Sequence, residues 1–407
     1  MRTRRLWLAT FAVLSGLTLA FVGGMYWSQH SPSASDPMPA DDDPIAALYR
    51  VPVDQWPAPT VDEGIDWQPL GPLPEPPAGR DWTPLTHLGR QLFFDPRMSS
   101  SGQIACASCH DPEHGWTDGR QLPFGHLRAP GTRNTQSLIN AAFMDRLFRD
   151  GRAGSLEAQV SIPLASDIEM HHTPAGAVQR IAARESYATQ FEAAFGDPEV
   201  TYPRIVSAIA DFERRLISRS SRFDAFIEGK HDALSDQEIR GLHWFRTQGR
   251  CMNCHSGPLF TDQQFHNLGL NFYGRPLQDL GRYNVTGKPE DVGTFRTSPL
   301  RDVAFTAPYM HNGMIPRLRN VLLFYNKGGA HPKRGEKHAD DPLFPKTSPL
   351  LQPLDLSTEQ IDDMEAFLHA ISARQNRLSM RFVADLREQA EQDREAGAHD
   401  ADSEIRR

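Results

Sequence analysis

Cysteine is scarce in this chain of 407 residues, which holds four. All four fall in two short runs, Cys106-Ala107-Ser108-Cys109-His110 and Cys251-Met252-Asn253-Cys254-His255. No thiol is left over for a disulfide or for a separate zinc site. An excess of basic residues is also missing: 43 Lys and Arg stand against 51 Asp and Glu, a net charge of −8. That balance argues against a nucleic-acid partner, which needs a concentrated basic face. Sustained apolar alternation is absent, which excludes a large sheet. No acidic loop of the EF-hand kind occurs.

What is present is the same five-residue pattern twice. A C-x-x-C alone can be half of a zinc site or a redox dithiol. With a histidine directly after it, the run has the spacing that attaches a c-type haem: each thiol adds across one vinyl group and the histidine takes the iron from one face. Cys106, Cys109, Cys251 and Cys254 are then the attachment residues, and His110 and His255 the proximal iron ligands. Two covalently bound haems c are the expected cofactors. With 39% hydrophobic and 23% charged residues the chain is ordinary globular protein, long enough for two domains.

Arg2, Arg4 and Arg5 precede a stretch without charge from 6 to 27, the pattern of an export signal or a membrane anchor. The positive flank keeps the N-terminus inside and sends the rest out. Thr18-Leu19-Ala20 offers a small-residue cleavage site, yet the apolar run continues past it, so a signal peptide or anchor over 1–28 both stay open. A periplasmic protein, freed by cleavage or tethered to the inner membrane, is expected. Twelve of the 32 prolines fall in 29–80 with no apolar period, which reads as an extended tether.

Helical patterns follow at 81–94, 155–160, 173–195 and 203–218. Ser235-Asp236-Gln237-Glu238 is a capping box for a helix that delivers Cys251, a helix is expected over 316–326, and Ser357-Thr358-Glu359-Gln360 caps a last one through Ile371. The fold class is mainly α. An N-terminal haem domain is assigned to 81–234, a C-terminal one to 235–380, and a charged tail to 381–407.

The residues between 85 and 371 resemble the bacterial di-haem cytochrome c peroxidases and their MauG-like relatives. The resemblance rests on Leu88-Gly89-Arg90-Gln91-Leu92-Phe93-Phe94-Asp95-Pro96, Arg133-Asn134, Asp150-Gly151-Arg152-Ala153 and Leu156-Glu157-Ala158-Gln159. Thr306-Ala307-Pro308-Tyr309-Met310-His311-Asn312-Gly313 and Phe324-Tyr325-Asn326-Lys327-Gly328-Gly329 extend it. It implies two cytochrome c-like helical domains, each with one haem, and a calcium ion between them.

By that resemblance hydrogen peroxide reacts at the first haem and the second handles electrons. His126 matches a histidine that caps the first iron and must swing away before peroxide binds. Glu169 matches the distal glutamate, a base able to move a proton between the peroxide oxygens, and Gln159 and Pro163 match pocket residues. Asn134, Thr306 and Pro308 match the calcium ligands. His171 and His172, next to Glu169, are given no role.

The far ligand of the second haem separates two branches of the family. Fourteen residues after His311 of the Tyr-x-His-x-Gly motif stands Tyr325, the residue type of the MauG-like branch, where the peroxidases proper have methionine. Met310 and Met314 fall outside that register and read as packing residues. A phenolate is a hard anionic donor that stabilises oxidised iron, whereas a thioether favours Fe(II). Before Asp150-Gly151-Arg152, where the family usually has tryptophan between the haems, this chain has Arg149, which cannot relay electrons; Phe148 or a direct edge contact between the haems is the candidate substitute.

The resemblance therefore implies a di-haem peroxidase reducing hydrogen peroxide with electrons from a small redox protein, a cytochrome c or a cupredoxin. His126 favours that version. Tyr325 favours the alternative, peroxide-dependent oxidation of Trp or Tyr in a partner protein. A non-catalytic electron-transfer cytochrome is the reading from another class, and a homodimer is left open.

Overall fold

The computed structural model describes residues 43–373. The N-terminal 1–28 segment, the first part of the Pro-rich stretch and the 381–407 tail lie outside them. No described helix is long and apolar enough to cross a membrane. Eleven α-helices occur among the described residues: α1 Pro44–Ala47, α2 Pro84–Phe94, α3 Leu156–Ala165, α4 Pro174–Ala182, α5 Glu185–Phe195, α6 Tyr202–Arg214, α7 Arg222–Ile227, α8 Asp236–Arg246, α9 Tyr283–Thr286, α10 Leu318–Asn326 and α11 Thr358–Ala370. The one named sheet among them pairs β1 Phe265–His266 antiparallel with β2 Phe295–Arg296. The chain is mainly α.

Helix starts follow their side-chain caps. Ser235 accepts from the Glu238 amide while the Glu238 carboxylate accepts from the Ser235 amide at 2.9 Å, and Ser357 and Gln360 repeat the arrangement at α11. The single helix expected over 173–195 is instead α4 and α5, broken where Arg184 leaves helical dihedrals. The break brings Tyr187 and Phe191 onto the core that Ile181 also reaches, all three fully buried.

Two cores form. The first gathers α2 through α6 around Leu92, Phe93, Ile209 and Phe212; the second gathers α8, α10 and α11 around Leu242, Phe245, Phe260 and Phe367. Each has one helix crossing that only glycine permits. A Cβ on Gly89 of α2 would lie 1.8 Å from the Ala208 carbonyl oxygen of α6, and one on Gly241 of α8 would lie 2.0 Å from the Asp363 oxygen of α11.

Two expectations are corrected. The stretch 43–80 is no free tether. Tyr49, Trp56 and Leu70 are buried in the second core, and the Asp62 amide donates to Asn253 Oδ1 at 2.9 Å inside the second attachment turn. The segment has no period because it is held by single anchors and by backbone bonds such as Thr60 N to Arg246 O at 2.8 Å. The boundary near 234 also moves. Phe223 and Phe226 of α7 belong to the second core, and Arg301 pairs with Asp224 at 2.8 and 2.9 Å with both side chains buried.

Candidate functional site

The two attachment runs adopt one local geometry. Cys106–Ser108 and Cys251–Asn253 are 3-10 turns, the first reached from α2 and the second from α8. His110 N donates to Cys106 O at 2.9 Å and His255 N to Cys251 O at 2.7 Å, so two thiols and an imidazole share one turn. The four cysteines are unpaired. His110 Nδ1 lies 3.1 Å from the Trp116 carbonyl oxygen, and His255 Nδ1 lies 2.9 Å from that of Phe260. A carbonyl only accepts, so Nδ1 carries the proton and Nε2 keeps the lone pair that a metal requires. Burial lowers the pKa of both rings, which holds them neutral.

Both turns open onto one cavity of about 680 Å³. Its walls include Val160, Leu164 and Ile209 from the first core and Phe245, Leu322 and Leu368 from the second. Between the halves the wall is cationic. Arg133, Arg149 and Arg296 all line it. Arg133 is matched by Asp150 at 2.6 Å and Asp279 at 2.6 Å. Arg149 and Arg296 have no carboxylate partner among the described residues: Arg149 donates to Ser298 Oγ at 2.9 Å and Asn134 Oδ1 at 3.3 Å, and Arg296 approaches Met144 Sδ at 3.0 Å. Burial, then the nearby Arg296 and Arg133, bring Arg149 down to about 9, and burial brings Arg296 down to about 10. Buried polar atoms without partners also face this space, among them Gln159 Oε1, Arg149 Nε and Glu213 Oε2. An apolar cavity with two thiol pairs, two poised imidazoles and unpaired guanidiniums fits two haems with their anionic propionates.

The far sides differ. Gln159 and Pro163 of α3 line the cavity with Glu169. Burial raises the Glu169 pKa, and Arg152 opposes the rise. A thiolate at Cys109 would feel the Glu169 charge, which puts that carboxyl near the first attachment turn. Tyr325, on α10, is in the cavity wall; burial pushes its pKa up, and charge on Cys254 or Cys251 would push it further. Its hydroxyl makes no hydrogen bond to a described residue, so the oxygen keeps its lone pairs free.

His126 is not in the cavity wall, although its neighbour Gly125 is. The ring stacks on His171 with centroids 4.7 Å apart, and Nδ1 lies 3.4 Å from Ser100 Oγ. Its amide donates to the Glu169 carbonyl oxygen at 2.7 Å, which ties it to the acid's backbone. His171 pairs with Asp167 at 3.1 Å, and the buried His172 bonds the Met98 carbonyl at 3.1 Å. Met310 lines the cavity. Met314, read as a packing residue, is instead 45% exposed, because the turn that pairs Tyr309 with Ile315 lifts it off the core.

Asn134, Thr306 and Pro308 all line the cavity. Calcium wants several hard oxygens, usually with carboxylates among them. The single side-chain amide oxygen of the set, Asn134 Oδ1, already accepts from Arg149, while Nδ2 donates to the Arg120 carbonyl at 2.9 Å. The set does not fit calcium as it stands.

Sequence reasoning missed Arg296 and Glu213. The signal for Glu213 was there: it stands four residues after Ile209 and eight after Ile205, on the apolar face of α6.

A family model described as di-haem cytochrome c peroxidase matches residues 83–232. The cytochrome-c peroxidase IdrP1 of Pseudomonas sp. (strain SCT) is 34% identical over 336 residues, which is 75% of this chain and 86% of that protein. The chain belongs to the di-haem cytochrome c peroxidase and MauG family. Membership makes it an oxidoreductase of that type with two haems c as cofactors. The MauG-like branch is similar as well: the methylamine utilization protein MauG of Methylophilus methylotrophus is 35% identical over 290 residues, 70% of this chain and 81% of that protein. A solved MauG-like protein associated with microbial copper homeostasis superposes with a TM-score of 0.65 at 30% identity, over 77% of this chain and 96% of that one.

Proposed function

We propose that this member of the di-haem peroxidase family reduces hydrogen peroxide to two waters, consuming two protons and two electrons that a small redox protein such as a cytochrome c delivers one at a time. The observation that carries the reading is the wall of the first haem site. Glu169, with its pKa raised by burial, and Gln159, with an unpartnered buried oxygen, line it, while His126 lies outside it. When bound there, haem c would supply a redox-active iron for peroxide and the electrons that cleave the O–O bond. His110 holds the iron through Nε2, oriented by its Nδ1 bond to Trp116 O. The Glu169 carboxylate takes the proton from the peroxide oxygen nearest the iron and returns it to the departing oxygen. Gln159 Oε1 accepts the remaining peroxide hydrogen and fixes its direction. At the second site His255 would hold the iron through Nε2, oriented by its Nδ1 bond to Phe260 O, and a haem bound there would supply the entry point for electrons from the donor protein.

Calcium at Asn134, Thr306 and Pro308 is left out of this reading because Arg149 stands on the Asn134 oxygen. Export to the periplasm rests on the Arg2 to Trp27 pattern, and inner-membrane anchoring and homodimer formation belong to the same reading.

A second reading is favoured by Tyr325, which lines the cavity and whose hydroxyl makes no hydrogen bond to a described residue: oxidation of Trp or Tyr in a partner protein. Rapid mixing with peroxide separates the two. Fast oxidation of reduced cytochrome c supports the peroxidase. Cytochrome c that stays reduced, beside a long-lived spectral change in the protein alone, overturns it in favour of the second reading. No response to peroxide or cyanide in either oxidised or half-reduced protein overturns both and leaves an electron-transfer cytochrome.

A further inference from the structure

The seam between the halves has a cation of its own. Arg149 follows Phe148 in the first half, and its guanidinium joins Asn134 Oδ1 at 3.3 Å to Ser298 Oγ of the second half at 2.9 Å. The backbone at the same residue repeats the link, since Arg296 N donates to Arg149 O at 2.8 Å. Asn134 is held from its other side by the second half, its amide donating to the His311 carbonyl at 2.8 Å. The Thr306 and Pro308 carbonyl oxygens line the same cavity and accept no described backbone hydrogen bond.

Charge at this place is lopsided. Arg133, Arg149, Arg152 and Arg296 converge on it, and the nearby carboxylates are Asp150 and Asp279. Asp279 accepts from Nε and Nη2 of Arg133, and Asp150 is shared between Arg133 Nη1 and Arg152. Neither is free for a metal. A divalent cation needs several oxygens, preferably anionic ones, and would meet a fixed guanidinium on the Asn134 oxygen.

We infer that the Arg149 guanidinium is the resident cation of the seam, occupying the Asn134 oxygen that calcium would require, so that the two haem halves close without the metal. The inference concerns the seam and holds whichever protein or small molecule is oxidised. Arginine suits the position because its cation is planar and able to grip two oxygens at once. Being covalently attached, it cannot be removed by a chelator.

The test uses the full-length protein loaded with both haems. After dialysis into metal-free buffer, calcium is counted by elemental analysis, calcium chloride is titrated by calorimetry, and the haem absorption bands are followed with and without EGTA. The wild-type protein is expected to hold substoichiometric calcium, to show no binding isotherm and to keep its spectrum in EGTA. Arg149→Ala and Arg149→Trp are expected to gain one calcium per chain and haem spectra that respond to EGTA. One tightly held calcium in the wild type, removed by EGTA with a spectral change, overturns the inference. So does a folded, haem-loaded pair of variants that stays calcium-free. If neither variant accumulates with haem, the wild-type calcium count and EGTA response still decide it.

Discussion

The two halves are near copies on one side of each haem and unlike on the other. In both, a glycine-mediated helix crossing, Gly89 with Ala208 and Gly241 with Asp363, precedes a 3-10 turn that presents two thiols and a histidine. In both, that histidine gives its Nδ1 proton to a carbonyl a few residues on, Trp116 or Phe260. The far sides share nothing. The first has Gln159, Pro163 and Glu169; the second has Tyr325. The shared side is what covalent attachment demands, while in the proposed function the divergent side would divide the work, with proton movement at one haem and a hard anionic ligand at the other.

The sharpest way to break this comparison is at Glu169. Glu169→Gln keeps the shape and loses the base, so peroxide-dependent turnover should fall by about 10²- to 10⁴-fold. Haem content and the second-haem spectrum should stay as they were. Turnover within a few-fold of wild type in steady-state cytochrome c oxidation would remove the proton-moving role from the first half.

Next come the crossings that the halves share. Gly241→Ala places a Cβ 2.0 Å from the Asp363 oxygen. It should cost about 3 kcal/mol or more, the upper end of overpacking penalties, with a matching drop in the urea midpoint. Gly89→Ala should do the same through α2 and α6. If one crossing tolerates alanine and the other does not, the halves are less alike than their backbones suggest.

Tyr325→Phe sharpens the difference instead. Loss of the phenolate should change the absorption and EPR spectra of the second haem and raise its midpoint potential, on the order of 0.1 V given the span that axial ligands control. The first-haem signals should hold still. A second-haem spectrum identical to wild type would sink the ligand assignment and leave Tyr325 as a wall residue.

These contrasts were legible in the sequence to very different degrees. The attachment turns and the capped starts of α8 and α11 were readable because each is a local pattern whose chemistry closes within a few residues, as at Cys106 to His110 or Ser235 to Glu238. Tyr325 was singled out by a count from His311, and α10 carries it into the cavity wall. The stretch 43–80 was misread for a physical reason: Tyr49, Trp56 and Leu70 are anchors too far apart to make a period, and the backbone bonds of Thr60 and Asp62 leave no trace in residue type. Arg296 was hidden because a buried arginine that faces a cofactor looks, in sequence, like any exposed one.

The halves also differ in a buried acid, and this separates them by pH. In the second half Asp363 of α11 is matched by Arg240 at 3.0 and 3.1 Å and by the Trp244 indole at 3.3 Å. In the first, Glu213 of α6 is 3% exposed, has no partner for Oε2, and is pushed by burial from the ordinary carboxyl value of 4.5 up to about 8. A folded-state value above the unfolded one means the folded chain keeps a proton that the unfolded chain has lost. The Glu213 contribution is therefore complete below pH 4.5 and fades as pH rises through about 8. Between pH 7 and 8 the loss should be about 1 kcal/mol, read as a falling urea midpoint. Glu213→Gln holds the neutral shape at every pH and should flatten that fall. An unchanged pH slope in the variant would remove Glu213 as the source of the fall, and with it this difference between the halves.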